Sequence, residues 1–311
     1  MTMMDATFTY QPTGSRIHRL SPFVMLSWLA VLLTAALVVE HPAWLLGLLL
    51  VTVAVAHSAR VVRPWAAVMR FMLWMAVAVI IINVLVSNQG SHVLWEAGFR
   101  LPLLGAPTVT LEALAFGCAM ALRLSAIVSA FTLLNLCVHP DDLMRAAIKL
   151  RLPYRSVLVT SLSIRFVPVL MQDARTISDV QQSRGVAFDR GGLVQRIRNR
   201  GALILPLLSN SLDRAVQVAE AMEARAYGAP VRRTFYRDVP VTTADIALLV
   251  GIWGGAALLL ASRVFGIGGF AYYPSIADLS MGPAAWLVLA LLCASLLAVA
   301  VPYTSRGVML Q

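Results

Sequence analysis

The residues in this chain best placed to do chemistry are two arginines. Each sits among small residues at the end of a polar-faced helix, just before a glycine that can stop it. One lies in Gln181-Gln182-Ser183-Arg184-Gly185, the other in Glu223-Ala224-Arg225-Ala226-Tyr227-Gly228. A guanidinium offers five donors in a rigid fork suited to carboxylates and carbonyls, and small neighbours let another backbone come close. The chemistry on offer is recognition, with each arginine entering an acidic cleft on another protein. A cation at a helix C-terminus also offsets the helix dipole by roughly 0.3–1 kcal/mol, which leaves a structural role open for either arginine taken alone. Two matched ends in one chain favour recognition.

Other chemistry is sparse. The chain has one lysine, Lys149, in Ala146-Ala147-Ile148-Lys149-Leu150. A phosphate-binding P-loop needs a glycine-rich turn followed by Lys and Ser or Thr, and the sequence contains none, so ATP-driven work would have to come from a partner. No His, Cys, Asp or Glu cluster has metal-ligand spacing, and no nucleophile stands beside a base. No catalytic residue, metal site or directly bound cofactor is therefore expected, and an enzyme is not. The histidines (His18, His41, His57, His92 and His139) fall at the ends of apolar spans, where they serve as interfacial residues or caps. Cys118, Cys137 and Cys293 lie in apolar spans without pairing spacing and read as buried small hydrophobes.

The elements that must position the two arginines belong to a membrane protein. Hydrophobic residues make up 59% of the 311, charged ones 13%, and the mean hydropathy is +0.78; a soluble domain carries about 25% charged residues. The net charge of +10 does not indicate nucleic acid, because of where the charges lie. Sixteen of the 25 basic residues fall between His139 and Pro240, beside nine acids. The expected outer loops hold Glu40, Glu96, Arg100, Arg263 and Asp278. That asymmetry follows the positive-inside rule.

Crossing a bilayer takes about 20 apolar residues, with a range of roughly 17–25. Six segments qualify, near Pro22 to Val39, Ala43 to Ala59, Trp65 to Val86, Val109 to Val138, Ala244 to Ser262 and Pro283 to Val301. An outer loop with Asn88, Gly90, Pro102, Gly105 and Pro107 separates the third from the fourth. Six spans put both termini inside, in keeping with Arg16, His18 and Arg19 before the first span and Arg306 after the last. Arg123 lies within the fourth span and Glu112 near its outer end. Charges there face protein, water or headgroups. Arg123 marks either a substrate or proton path, or a side chain paired in the bundle with a carboxylate or backbone carbonyls. The scarcity of polar groups at mid-membrane disfavours a secondary transporter.

The expected fold is all-α: an N-terminal membrane domain over 1–138, a cytoplasmic or interfacial coupling domain over 139–240, and a C-terminal membrane domain over 241–311. In the middle domain, His139-Pro140-Asp141-Asp142 opens a helix that ends at Leu152-Pro153. Ser156 to Met171 is apolar but only sixteen residues long, with Arg165 near its centre; it reads as an interfacial or bundle helix rather than a seventh span. An amphipathic helix then runs from about Pro168 to Ser183. Arg190, Arg196, Arg198 and Arg200 form a basic connector suited to anionic headgroups. A second amphipathic helix starts near Pro206, with Leu208, Leu212, Ala215, Val216, Ala219 and Met222 on its apolar stripe and Gly228, followed by Pro230, as its stop.

At the two arginines the chain resembles the transmembrane T component of energy-coupling factor transporters, the vitamin and transition-metal uptake systems of prokaryotes. Members carry two short Ala-Arg-Gly/Ser-like motifs at the ends of cytoplasmic coupling helices, matched here by Ser183-Arg184-Gly185 and Ala224-Arg225-Ala226. Ile164-Arg165-Phe166-Val167-Pro168, Ala221-Met222-Glu223, His139-Pro140-Asp141-Asp142 with Leu152-Pro153, and Ile17-His18-Arg19-Leu20 also resemble the family. The likeness covers about Arg16 to Gly228. Ser183 replaces alanine and Ala226 replaces Gly or Ser, and both remain small.

The resemblance implies two ABC ATPase subunits, which hold the ATP and magnesium, with one arginine docking into each. It further implies a small membrane S component that binds the substrate, held by apolar surfaces that include Met144, Met171 and Met222, in a prokaryotic cell membrane. A conventional ABC importer permease is the alternative. Its cytoplasmic loop is partly matched by Glu220-Ala221-Met222, but the glycine spacing is off and no Ile-x-Leu-Pro stretch follows Gly228. A membrane-anchored scaffold is a third class, distinguished by whether ATPases bind through the arginines.

Overall fold

The structure is a computed structural model, and it describes residues 15–87, 91–96, 108–149, 153–185, 192–228, 241–273 and 280–301. Among these, the chain forms nine α-helices: α1 (Pro22–Val38), α2 (Pro42–Ser58), α3 (Val62–Val86), α4 (Leu111–Cys137), α5 (Pro140–Lys149), α6 (Tyr154–Ser183), α7 (Leu193–Ala224), α8 (Thr243–Val264) and α9 (Pro283–Leu297). Between α3 and α4 stands a two-stranded antiparallel ribbon, β1 (Val93–Glu96) and β2 (Thr108–Thr110), paired Val93 to Thr110 and Glu96 to Thr108 with an irregularity between Val93 and Trp95. The fold is all-α apart from this small ribbon, which lies in the segment read as an outer loop. Asn88, Gly90, Arg100, Pro102, Gly105, Pro107, Leu152, Arg190, Pro230, Asp278 and Arg306 lie outside the described residues.

Helix starts follow their sequence signals. Proline occupies the first turn of α1, α2 and α9, where its missing N–H is no loss. Thr242 and Asp245 form a reciprocal capping box at α8, and the Thr110 hydroxyl accepts from the Ala113 amide at α4. His41 caps α2 and His139 caps α5, each ring accepting a backbone N–H.

The chain divides into two compact units, residues 1–143 with 239–311, and residues 144–238. In the first, α1 is the central helix and packs on α4 and α8; α2 packs on α4 and α9, α8 on α9, and α3 on α4. Trp28, Met25 and Leu32 of α1 are buried with Trp44 and Leu48 of α2, Leu133 of α4 and Leu292 of α9. The indoles in the bundle find acceptors, as their N–H groups require: buried Trp28 donates to the Leu296 carbonyl at 3.2 Å and half-buried Trp65 to the Ser129 hydroxyl at 2.8 Å. Gly117 brings α4 against α3, where a Cβ would lie 3.2 Å from the Ile80 Cα. One face of α3 is exposed, with Phe71, Leu73, Trp74 and Ile82 outward, a surface suited to lipid tails.

Each of the six expected apolar segments is one helix. Four (α3, α4, α8 and the run Pro283–Ala300) are long and apolar enough to cross a membrane, while α1 and α2, at 17 residues each, sit at the lower limit. The chain is a multi-pass helical membrane protein. Three expectations need correction. The helices expected over Ser156–Met171 and Pro168–Ser183 are one 30-residue helix, α6, with Pro168 inside. It therefore passes the same length and composition test, and the shortness argued against a seventh span does not hold. Likewise α7 begins at Leu193, not near Pro206, and the connector residues Arg196, Arg198 and Arg200 lie in its first turns. Cys118, expected to be buried, is exposed.

Candidate functional site

The second unit is built on the pairing of α6 with α7. Half-buried positions recur at steps of three and four on both helices, which marks the faces that meet. They include Leu162, Phe166, Val169, Asp173, Ile177 and Gln181 on α6, and Leu203, Leu207, Ser211, Arg214, Val218 and Met222 on α7. Each otherwise apolar or uncharged line contains one charge, and the two charges meet: Arg214 Nη2 donates to Asp173 Oδ2 at 2.9 Å, with the side chains 39% and 23% exposed. The apolar stripe of α7 is therefore mostly outward. Leu208, Leu212 and Val216 are exposed, as are Ala215 and Ala219, and of the expected set Met222 is half-buried. The face that meets α6 is rotated from the most apolar one and carries Arg214, which pairs with Asp173.

The two motifs occupy equivalent places at the ends of these helices. Ser183 is the last residue of α6, Arg184 its C-cap, and Gly185 follows at φ +88°. Ala224 is the last residue of α7, Arg225 its C-cap, and Ala226 follows at φ +54°. The turn after α7 is a Schellman motif: the Ala226 amide donates to the Glu223 carbonyl at 2.8 Å and the Tyr227 amide to the Met222 carbonyl at 2.9 Å. After α6 the Gly185 amide likewise donates to the Gln182 carbonyl at 2.9 Å. The residue that stops α7 is thus Ala226, two positions before the glycine expected to do so.

Both arginines are exposed, and among the described residues neither side chain makes a hydrogen bond or ion pair. The Ser183 hydroxyl turns inward, donating to the Asp179 carbonyl at 2.9 Å, so it does not compete with Arg184 for an incoming group. Each arginine lies eleven residues beyond the ion pair (173 to 184, and 214 to 225), about 16 Å of helix at 1.5 Å per residue. Two equal arms thus extend from one paired point, each ending in an exposed guanidinium. Sequence periodicity did not single out Asp173 and Arg214, although their separation equals that of the arginines.

The charges in the fourth span are both engaged within the first unit. Arg123 Nη2 donates to the Val39 carbonyl at 2.7 Å, meeting an orphan acceptor at the end of α1. Glu112, with a fully buried side chain, accepts from the Ser91 hydroxyl at 2.9 Å and from the His92 ring and amide, which ties the chain before β1 to the start of α4. Among the described residues no group of three His, Cys, Asp or Glu could hold a metal ion.

The cobalt transport protein family CbiQ matches residues 13–236, a stretch that contains both arginine caps. The chain is 29% identical over 266 residues to the energy-coupling factor transporter transmembrane protein EcfT of Bacillus selenitireducens, covering 83% of this chain and 96% of that relative. The protein of the same name from Bacillus subtilis is 29% identical over 274 residues, covering 84% of this chain and 100% of the relative. That from Heliobacterium modesticaldum is 30% identical over 264 residues, covering 79% and 92%. With its apolar helices and paired arginine caps inside the matched region, the chain belongs to the cobalt transport protein family, the transmembrane subunits of energy-coupling factor transporters.

Proposed function

We propose that the chain is the energy-coupling subunit of an importer in which two ATPase subunits seat on the ends of α6 and α7, Arg184 entering an acidic groove on one and Arg225 on the other. The observation that carries this reading is the equivalence of the two ends: each arginine is a C-cap, exposed, unpaired among the described residues, and followed by a left-handed residue. The relatives' shared description as transporter transmembrane proteins agrees. ATP and magnesium belong to the ATPases, since the chain has no P-loop. Closing and opening of the ATPase pair would move the two helix ends, and the Asp173–Arg214 pair would keep α6 and α7 moving as one body.

The transmitted motion would reach a small substrate-binding membrane component. The outward stripe of α7 (Leu205, Leu208, Leu212, Val216) and exposed Met171 of α6 supply an apolar surface that can hold it, and methionine suits a surface that must re-pack. The cargo would be a vitamin or a transition metal such as cobalt, bound by that partner and not by this chain. Basic residues concentrated between His139 and Pro240 support a prokaryotic cell membrane placement with both termini in the cytoplasm.

The test is isolation from native membranes in mild detergent, with mass spectrometry of the accompanying subunits. Two P-loop ATPases with a small hydrophobic protein are expected, and that protein identifies the cargo. ATPases accompanied by a periplasmic binding protein would instead establish a conventional permease, and a stable preparation without any ATPase would leave a scaffold.

A further inference from the structure

At the ribbon end of the first unit, the α1–α2 turn forms the floor of an open cleft of about 400 Å³, walled by α4 and by the segment after α8. Its lining includes Glu40, Phe116, Arg123, Phe270, Tyr272 and Tyr273. The rings are braced edge to face, Phe270 against Tyr272 at 4.8 Å and Phe116 against Tyr272 at 5.4 Å between centroids. Tyr272 donates to the Glu40 carbonyl at 2.6 Å, and the Tyr273 and Ser87 hydroxyls are 2.6 Å apart. The walls are therefore fixed by bonds between residues distant in sequence.

Two charged groups in this cleft are incompletely matched. Arg123 gives one Nη to the Val39 carbonyl and the other to the Met120 sulfur at 3.6 Å, a weak acceptor, and its Nε is buried and without an acceptor. A buried N–H left unpaired is costly, and costlier on a charged group. Glu40 is exposed; its carboxylate feels the charge of Arg263 but among the described residues makes no hydrogen bond or ion pair. An anion acceptor is wanted at Arg123 and a cation at Glu40, where aromatic faces add their own attraction for a cation. The volume falls within the range of small-molecule sites, about 300–1,000 Å³.

The position points to the source. Helices α1 and α2 have 17 residues each, about 25 Å at 1.5 Å per residue, short of a hydrocarbon core of about 30 Å. Arg123 stands twelve residues into α4, about 18 Å from its start, yet it meets the end of α1. The bundle thus has a step at this end, and a span that is too short draws lipid headgroups inward. We propose that the cleft holds the headgroup of a zwitterionic phospholipid, its phosphate on Arg123 and its ammonium between Glu40 and the aromatic rings.

The experiment uses the full chain, with whatever subunits accompany it, in nanodiscs made of equal parts phosphatidylethanolamine and phosphatidylglycerol. Native mass spectrometry counts the lipids that stay bound. Phosphatidylethanolamine is expected to be retained over phosphatidylglycerol by roughly five- to tenfold, the range for a partly desolvated ion pair with a cation–π contact. Glu40→Gln, at an exposed residue with no side-chain bond to lose, should abolish that preference, whereas Arg123→Lys should keep it. Soluble phosphoethanolamine separates the sources. Failure to displace the lipid assigns the site to the bilayer, and displacement supports the same headgroup chemistry from solution. Equal retention of both lipids, or an unchanged preference in Glu40→Gln, would overturn the assignment.

Discussion

If Asp173 and Arg214 fix α6 to α7 at the base of both arms, their contributions should not add. Removing the carboxylate by Asp173→Ala deletes a 2.9 Å charge-assisted bond and leaves a guanidinium whose Nε is already buried without a partner. A fully buried pair broken on one side costs 3–5 kcal/mol and a surface pair about 0–1. With side chains 23% and 39% exposed, the expected cost is about 1–2 kcal/mol after solvent screening. Arg214→Leu alone strands the carboxylate instead and should cost a similar amount. Combining the two strands neither charge and lets the introduced leucine extend the line of Leu207 and Val218. The double variant should thus be more stable than the sum of the singles by about 1 kcal/mol, roughly fivefold in a local opening constant. Amide hydrogen exchange along α6 and α7 of the full chain reads this directly, because it measures local opening; exposed Asp213→Ala is the control. Single effects that add to within about 0.5 kcal/mol would refute the coupling.

Ala226 at φ +54° carries the strain of a side chain in the left-handed region, about 1–2 kcal/mol; Ala226→Gly should slow exchange at the end of α7 by about 0.5–1 kcal/mol after the chain-entropy cost of glycine. Gly185→Ala, at φ +88°, should do the opposite at the end of α6 by about 1 kcal/mol, and the same exchange data check both. Burial pushes the Tyr272 phenol up to about 12, above the usual value of about 10. Its bond to the Glu40 carbonyl should therefore be intact below pH 10 and lost as pH rises through about 12, and an absorbance titration should show a late tyrosinate step that Tyr272→Phe removes. A Cβ at position 255 would lie 2.5 Å from the Ser295 hydroxyl, so Gly255→Ala should destabilise the α8–α9 contact by about 1–3 kcal/mol, seen as a lower unfolding temperature in detergent.

The spans were legible because crossing a bilayer demands long apolar runs, and the end of α6 was legible because a glycine after the arginine is a local stop signal; at α7 the stop is Ala226, two residues before the glycine. The continuity of α6 and α7 was not. Pro168 and Pro206 look like breakers on local grounds, at about 3 kcal/mol each, yet both helices run on across them. The sequence also did not show which face of α7 meets α6: that face carries Arg214, whose partner Asp173 lies 41 residues earlier, and not the apolar stripe through Leu208 and Leu212. The cleft at the ribbon end was equally out of reach, since it depends on Tyr272 meeting Glu40 across 232 residues. Only Arg123 stood out in advance, with a path or a pairing both open, and its bond to the Val39 carbonyl answers for pairing.

The central claim is that Arg184 and Arg225 each anchor an ATPase. The most direct measurement is the amount of ATPase that co-purifies with an Arg184→Ala, Arg225→Ala double variant, read beside substrate uptake in the same cells. The account predicts normal membrane insertion, milder loss in either single variant because the other contact remains, and loss of both ATPase association and uptake in the double variant. A double variant that keeps its ATPases and transports at the unchanged rate would contradict it.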